Sequence, residues 1–273
     1  MSANESAPGG IDTSTPSIAR VYDAMLGGKD NFAVDRQLYD RLIELNPDLP
    51  RVMRANRRWQ QRVVRWLAGT AGIDQFLDLG SGLPTVQNTH EVAHLVSRDA
   101  RVVYVDNDPT VVAHGRVLLE DHEYTYFVPG DLTNPAALLS DSGVVDHLDL
   151  DRPMAVLQCA TLHFIPEQAE AERIMRGYTD RLATGSYVGI VHAEMPEPGD
   201  GRYETYLPSV AKYREAIPAF TPRTHADVTA LFEGLELVEP GVVPLDDWWP
   251  DGPRVTPMTG LGQLSLGGVA RKP

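Results

Sequence analysis

Between residues 15 and 70 apolar side chains recur every third or fourth position. Ile18, Val21, Tyr22, Met25 and Leu26 share one helical face, and Thr15-Pro16 ahead of them supplies a cap and a first-turn proline. Gly27-Gly28 stops that helix. After the loop KDNFAVD, Asp35 is expected to cap a second helix that runs to about Leu45, before Asn46-Pro47. A third helix is expected from about Pro50 to Leu67, with Val52, Met53, Trp59, Val63, Trp66 and Leu67 on its apolar face.

From residue 73 the rhythm becomes strand, turn, helix. The apolar runs predict strands near 75–79, 101–105, 124–128, 153–158, 186–192, 235–243 and 262–270. Helices fall near 87–97, 109–120, 135–140, 166–183, 203–216 and 224–232. This alternation predicts a seven-stranded, mostly parallel α/β sheet covered on both faces. The last strand follows its predecessor with no helix between them, which suits an antiparallel strand. The expected organisation is a disordered tail over 1–14, a helical cap over 15–70 and a sheet domain over 71–273.

Charge narrows the partners. The 273 residues carry a formal net charge of −14, which repels a phosphate backbone, so no nucleic-acid partner is expected. The densest basic segment, RVMRANRRWQQRVVR at 51–65, reads as the solvated face of the third helix. Cys159 is the one cysteine, which excludes an intrachain disulfide and fits a reducing cytoplasm. No apolar run is long enough for a membrane span, and MSANESAPGG is not a secretory signal. His90 and His94 share a helical face without an accompanying carboxylate motif, so no metal is expected.

The chemistry begins at FLDLGSGLPT, residues 76–85. In a parallel sheet, ligands bind beyond the C-terminal strand ends where the strand order reverses. Gly80 and Gly82, with Ser81 between them, let a ligand approach bare backbone. The second strand ends in Asp106-Asn107, and a carboxylate there can accept both hydroxyls of an adenosine ribose. Asp108 is better placed to cap the helix that Pro109 starts. A dinucleotide fingerprint wants a third glycine, and Thr85 stands there instead, behind Pro84. That argues against a nicotinamide enzyme and for the D-x-G-x-G form, led by Asp78, of enzymes that bind S-adenosylmethionine. The third strand ends in Gly130-Asp131-Leu132. There the Asp131 carboxylate can accept from an adenine amino group, and the Leu132 N–H can donate to a ring nitrogen.

On these residues the chain resembles the Rossmann-like class I methyltransferases that use S-adenosylmethionine. More narrowly, it resembles the actinobacterial S-adenosyl methyltransferase family. PSIARVYDAMLGGKDNFAVDR at 16–36 looks like that family's N-terminal signature, and QFLDLGSGLPTVQNTHEVA at 75–93 and VVYVDNDPTVVAHGRVLL at 102–119 look like its cofactor core. The resemblance runs from about Pro16 to Pro273. It implies S-adenosylmethionine as methyl donor and S-adenosylhomocysteine as product, and it leaves the acceptor open. Gln158-Cys159 departs from the apolar residues usual at the fourth strand's end, which puts Gln158 among the expected cofactor contacts.

Methyl transfer needs in-line placement first, and a base only where the acceptor must lose a proton. His163, in TLHFIP just after the fourth strand, is the candidate base. Tyr22, Arg54 and the loop residues Lys29, Asp30 and Asn31 are expected around the acceptor, with Trp248 and Trp249 as a second wall or lid. The Asp/Asn-Pro-Pro-aromatic signature of amino-group methylation is absent from LQCATL, and Cys159 lacks the preceding proline of cytosine methylation. The favoured reading is a small-molecule methyltransferase. A non-catalytic sensor or partner protein that binds S-adenosylmethionine is the alternative. The apolar faces of the N-terminal helices leave either the sheet domain or a second subunit of a homodimer to cover them.

Overall fold

The computed structural model describes residues 11–84, 87–119, 123–249 and 263–273. Thr85, Pro250, most of the N-terminal tail and the first residue of the last expected strand, Gly262, lie outside these. In chain order the elements are α1 (Ile18–Leu26), α2 (Ala33–Leu45), α3 (Leu49–Gly69), β1 (Gln75–Leu79), α4 (Thr89–His94), β2 (Arg101–Asp106), α5 (Pro109–Leu119), β3 (Thr125–Pro129), α6 (Pro135–Leu138), α7 (Ser142–Val145), β4 (Ala155–Cys159), α8 (Gln168–Thr179), β5 (Tyr187–Ala193), α9 (Tyr203–Ala216), α10 (His225–Ala230), β6 (Glu236–Leu237), β7 (Val243–Pro244) and β8 (Ser265–Arg271).

Among the described residues the sheet has eight strands in the order β3-β2-β1-β4-β5-β8-β6, with β7 also pairing β8. β1 to β5 are parallel, and β8 runs antiparallel to β5 with Tyr187 opposite Arg271. The extra strand arises because the run expected at 235–243 is broken into β6 and β7. Pro240 offers no N–H to a ladder, and Gly241 takes a left-handed turn at φ 86°. Strand order reverses between β1 and β4, which fixes the ligand-binding end of the sheet.

The two faces of the sheet bury separate cores. Leu77, Leu79, Val103 and Val156 meet Ile174, Met175 and Tyr178 of α8 on one side. On the other, Trp59, Val63, Val64 and Leu67 of α3 lie against Phe76, Leu157 and Val269. Each such aliphatic or aromatic side chain contributes about 1.5–3 kcal/mol by leaving water. α3 is therefore a layer of the sheet domain, and residue 70 is not a packing boundary. The helices that stand clear of the sheet are α1 and α2, closed by Tyr213 of α9 over Val21, Met25, Leu38 and Leu42. The apolar faces of the N-terminal helices are thus covered within the chain, which removes the reason the sequence offered for a homodimer.

Two caps differ from the sequence reading. Ser17, at φ −106° and ψ 138°, is the N-cap of α1, while the Thr15 carbonyl accepts from the Arg20 guanidinium. Asp35 sits inside α2 rather than before it and accepts from the Phe32 N–H at 2.8 Å. No described helix is long and apolar enough to cross a membrane.

Candidate active site

A cleft of about 610 Å³ opens at the C-terminal ends of β1, β2 and β4. The turn after β1 forms its floor. Gly80 and Ser81 donate their N–H groups to the Val105 carbonyl at 2.8 and 3.1 Å, which folds the chain back over β2. Gly80 and Gly82 both take left-handed φ, 66° and 67°, but for different reasons. A Cβ on Gly80 would collide with the Thr161 side chain, whereas one on Gly82 would meet nothing within 4 Å. Gly80 is small for packing; Gly82 presents bare backbone to the cleft.

The carboxylates at the strand ends differ in availability. Asp106 accepts the Gly82 N–H and the Asp108 N–H, each at 2.9 Å, one on each oxygen. Each oxygen keeps a lone pair for a further donor. Burial pushes the Asp106 carboxyl above its ordinary range. Asp131 uses Oδ1 in a turn with Thr133, through N–H and hydroxyl at 2.9 and 2.8 Å, and is otherwise exposed to the cleft beside Leu132. Asp108 caps α5 through the Thr110 N–H at 2.7 Å and also accepts the Ser17 hydroxyl, which joins the start of α1 to the rim. Asn107 lines the same rim.

Asp78 is not a free strand tip. It is buried in β1, where it accepts from Thr89 Oγ1 at 2.7 Å and Gln60 Nε2 at 3.0 Å. Burial raises its carboxyl, and the Arg57 guanidinium partly offsets that. Arg57, Asn56 and Gln60 of α3 all line the cleft, and none was expected there. The missed signal was polar residues at 56 and 60, one helical turn apart, inside a helix whose neighbours are core. Gln158 is fully buried; its Oε1 accepts from Thr161 Oγ1 at 2.6 Å and its Nε2 has no partner. It supports the turn beneath Gly80 and does not line the cleft, unlike Cys159 next to it.

A second, nearly apolar cavity of about 140 Å³ lies behind the first. Ile18, Tyr22, Asn56, Ala160 and Phe164 line both and form the neck between them. Its inner wall comes from α1, α2, α3, β5 and α9, with Val191, Tyr206, Tyr213 and Phe220 among the lining side chains. His163 faces this cavity from the single turn Leu162–Phe164. Its Nδ1 is closed to solvent and lacks a partner. Burial, with His192 and Arg223 nearby, holds its imidazole well below the usual range, so it is neutral. Arg223 pins this turn by donating to the carbonyls of Leu162 and Ile165 at 2.9 and 2.7 Å. Burial pushes the Tyr22 phenol up to about 12, so it remains a donor.

The remaining expected residues lie elsewhere. The loop after α1 folds around Asp23, whose Oδ2 accepts from the Asp30 N–H at 2.9 Å and Asn31 Nδ2 at 2.8 Å. Lys29, Asp30 and Asn31 line neither cavity, and the Asp30 carboxylate lies 3.4 Å from His114 of α5. Arg54 is on the exposed side of α3. Trp248 is fully buried against Trp59 and Trp66, its carbonyl accepts from Arg62 at 3.1 Å, and Trp249 stacks on it at 4.5 Å. These tryptophans fasten α3 to the sheet and are no lid. Among the described residues no group of His, Cys, Asp or Glu is arranged to hold a metal.

A parallel sheet with an antiparallel strand beyond β5, and a cleft floored by a glycine turn between carboxylates, defines a Rossmann-like methyltransferase of the S-adenosylmethionine class. The family model described as S-adenosyl methyltransferase matches residues 4–273, and the chain belongs to that family. Its methyl donor is S-adenosylmethionine, and it is an enzyme of the methyltransferase kind. The chain is similar to a candidate methyltransferase from Thermobifida fusca YX at 43% identity, over 97% of this chain and 98% of that one, with a TM-score of 0.90. It is also similar to a DUF574 family protein from Streptomyces avermitilis MA-4680 at 39% identity, over 96% and 99% of the two chains, with a TM-score of 0.88. The pyocyanin biosynthetic protein PhzM shares the fold at a TM-score of 0.51 and 16% identity, over 86% of this chain and 62% of that one. No curated protein matches the chain.

Proposed function

We propose that the protein transfers a methyl group from S-adenosylmethionine to a small molecule seated in the apolar cavity. The observation that carries this reading is the shared neck: a cleft lined by strand-end carboxylates and a glycine turn opens into a nearly apolar chamber. The residues of the cleft fit the donor. The two remaining lone pairs of Asp106 suit the two ribose hydroxyls. Asp131 Oδ2 and the Leu132 N–H suit the adenine edge, with Asn107 beside them. Gly82 and Ser81 leave room for the methionyl chain, whose ammonium falls toward Asp78 and whose carboxylate falls toward Arg57.

When bound, the donor supplies an electrophilic methyl carbon on a sulfonium. The chain's own part is placement. Tyr22, Asn56 and Phe164 at the neck align the acceptor with the methyl carbon, and the apolar wall excludes water. His163 presents a neutral imidazole to the same chamber; burial, His192 and Arg223 make it a weak base, so its part is a hydrogen bond to the acceptor more than removal of a proton.

The first test is calorimetric titration with S-adenosylmethionine, S-adenosylhomocysteine and NAD on the wild type and Asp106→Ala. Binding of the first two, lost in the variant, is expected. Binding of NAD would overturn the reading of the glycine turn, and no binding of either sulfur ligand would overturn the reading of the cleft.

A further inference from the structure

The acceptor cavity has a size and a polarity that together restrict its occupant. At about 140 Å³ it matches the volume of an engineered protein cavity that holds benzene. A single ring fits it, and a fused pair would extend into the neck. Its walls are aromatic and aliphatic: Val21, Met25, Tyr206, Phe220 and Leu264 among others. Among the described residues, no arginine, lysine or carboxylate lines it. An ionised acceptor would enter with its charge unpaired, at a cost no contact there offsets.

The cavity is nevertheless not purely apolar. Three buried polar atoms without a partner belong to residues that line it: Asn56 Oδ1, His163 Nδ1 and the Tyr213 hydroxyl. Asn56 and Tyr213 are 4% and 8% exposed. An unpaired buried polar group costs about 1–3 kcal/mol, and native structures leave few of them. Three around one chamber point to hydrogen bonds that a ligand completes. Asn56 Oδ1 only accepts, so the ligand must bring a donor. The Tyr213 hydroxyl both donates and accepts, and a neutral imidazole nitrogen completes the set. Asn56 stands at the neck, where the methyl group would arrive.

Resting on the methyltransferase reading above, we infer that the acceptor is an uncharged, single-ring hydroxyarene whose hydroxyl donates to Asn56 Oδ1 at the neck. In the step itself the hydroxyl oxygen bonds to the methyl carbon while the carbon–sulfur bond breaks and its electron pair stays on sulfur. The hydroxyl proton leaves through the neck to water in the cleft, so no charge is left in the chamber. Charge and atoms balance without a metal or an oxidant.

The experiment uses the full chain, and calorimetry with phenol, toluene, benzoate and 1-naphthol, each with and without saturating S-adenosylhomocysteine. Phenol is expected to bind roughly tenfold or more tightly than toluene, because a site built for a hydroxyl rejects the analogue that lacks it. Benzoate and 1-naphthol are expected to bind less tightly than phenol. Asn56→Leu is expected to shrink the preference for phenol over toluene, with thermal melting as the check that it folds. Toluene binding as tightly as phenol would overturn the hydroxyl assignment. Binding of 1-naphthol or benzoate in preference to phenol, or of no arene at all, would overturn the ring and charge assignments. Because the arenes are also titrated alone, phenol binding with no response to S-adenosylhomocysteine would remove the cofactor reading and leave the cavity assignment standing.

Discussion

At the scale of single residues, two glycines of one turn answer to different constraints, and substitution separates them. Gly80→Ala places a methyl group against Thr161 in a left-handed conformation, and a loss on the order of 2–4 kcal/mol is expected. Adding Thr161→Ser removes the colliding methyl while keeping the hydroxyl that bonds Gln158, and it should restore part of that loss. Gly82→Ala meets open space, so it should cost only the conformational part, about 1 kcal/mol, and weaken S-adenosylhomocysteine instead. Urea titration and calorimetry on the same variants check both halves; equal stability losses at the two glycines would refute the distinction. His192 makes a second residue-scale prediction. It is wholly buried, Arg223 donates to its Nε2 at 2.8 Å, and its Nδ1 meets the Ala193 carbonyl, so it is neutral. Burial lowers it to about 4. A histidine that resists protonation when folded takes up protons first in the unfolded chain. Its contribution is therefore present above the ordinary value of 6.5 and is lost as pH falls from there toward about 4. Between about pH 7.5 and pH 5 this amounts to roughly 2 kcal/mol. In His192→Gln that portion of the acid sensitivity should vanish, read as a smaller difference between urea midpoints at the two pH values.

At the scale of elements, the connection between α1, α2 and α5 is a buried ion pair. Arg20 donates to Asp35 at 2.8 Å and to Thr110 Oγ1 of α5 at 3.1 Å, and Asp35 also accepts the Ser17 and Phe32 N–H groups. Removing one partner leaves the other buried and uncompensated, so Arg20→Met is expected to cost about 3–5 kcal/mol in urea unfolding. A loss below about 1 kcal/mol would mean the pair is dispensable. The loop at 27–32 gives the opposite expectation. Because it wraps Asp23 and lines neither cavity, Lys29→Ala with Asp30→Ala should leave S-adenosylhomocysteine affinity unchanged, by calorimetry. These cases show what the chain made legible. Glycines and carboxylates at the ends of β1, β2 and β3 could be read because a parallel sheet puts all its strand ends together, whatever the packing. Helix faces could be read where apolar periodicity was unmixed, as in α1. α3 was half legible: Val52, Trp59 and Val63 marked its core face, but Asn56, Arg57 and Gln60 looked like a solvated side. They reach the cleft because α3 lies on the sheet at the very end where β1 stops, a tertiary fact whose one local trace is the polar pair at 56 and 60 among core positions. Trp248 misled for a related reason. An aromatic pair before a proline suits a pocket wall, and only the position of Trp59 shows that it closes the core instead.

At the scale of the whole molecule, the two cavities are one device because they share a neck. Residues from α1, α3 and the turn after β4, far apart in the chain, form that neck, and each of Tyr22, Asn56 and Phe164 faces both ligands. A donor or product in the outer cleft then covers the mouth of the inner chamber. Two consequences follow from geometry and linkage. An arene already inside should leave more slowly once the cleft is filled, since its path runs through the neck. And if S-adenosylhomocysteine tightens phenol by some factor, phenol must tighten S-adenosylhomocysteine by the same factor, because the coupling belongs to the ternary complex and not to either ligand. We expect a coupling of at least fivefold in both directions, the lower end of ordinary coupling energies at about 1 kcal/mol. Calorimetry of each ligand in the absence and presence of the other measures it twice, independently. The neck also predicts where the coupling is lost. Substituting Tyr22, which touches both spaces, by Ala should reduce it toward unity, while Val191→Ala on the inner wall alone should weaken the arene and leave the coupling intact. The reverse pattern would place the contact between donor and acceptor somewhere other than this neck.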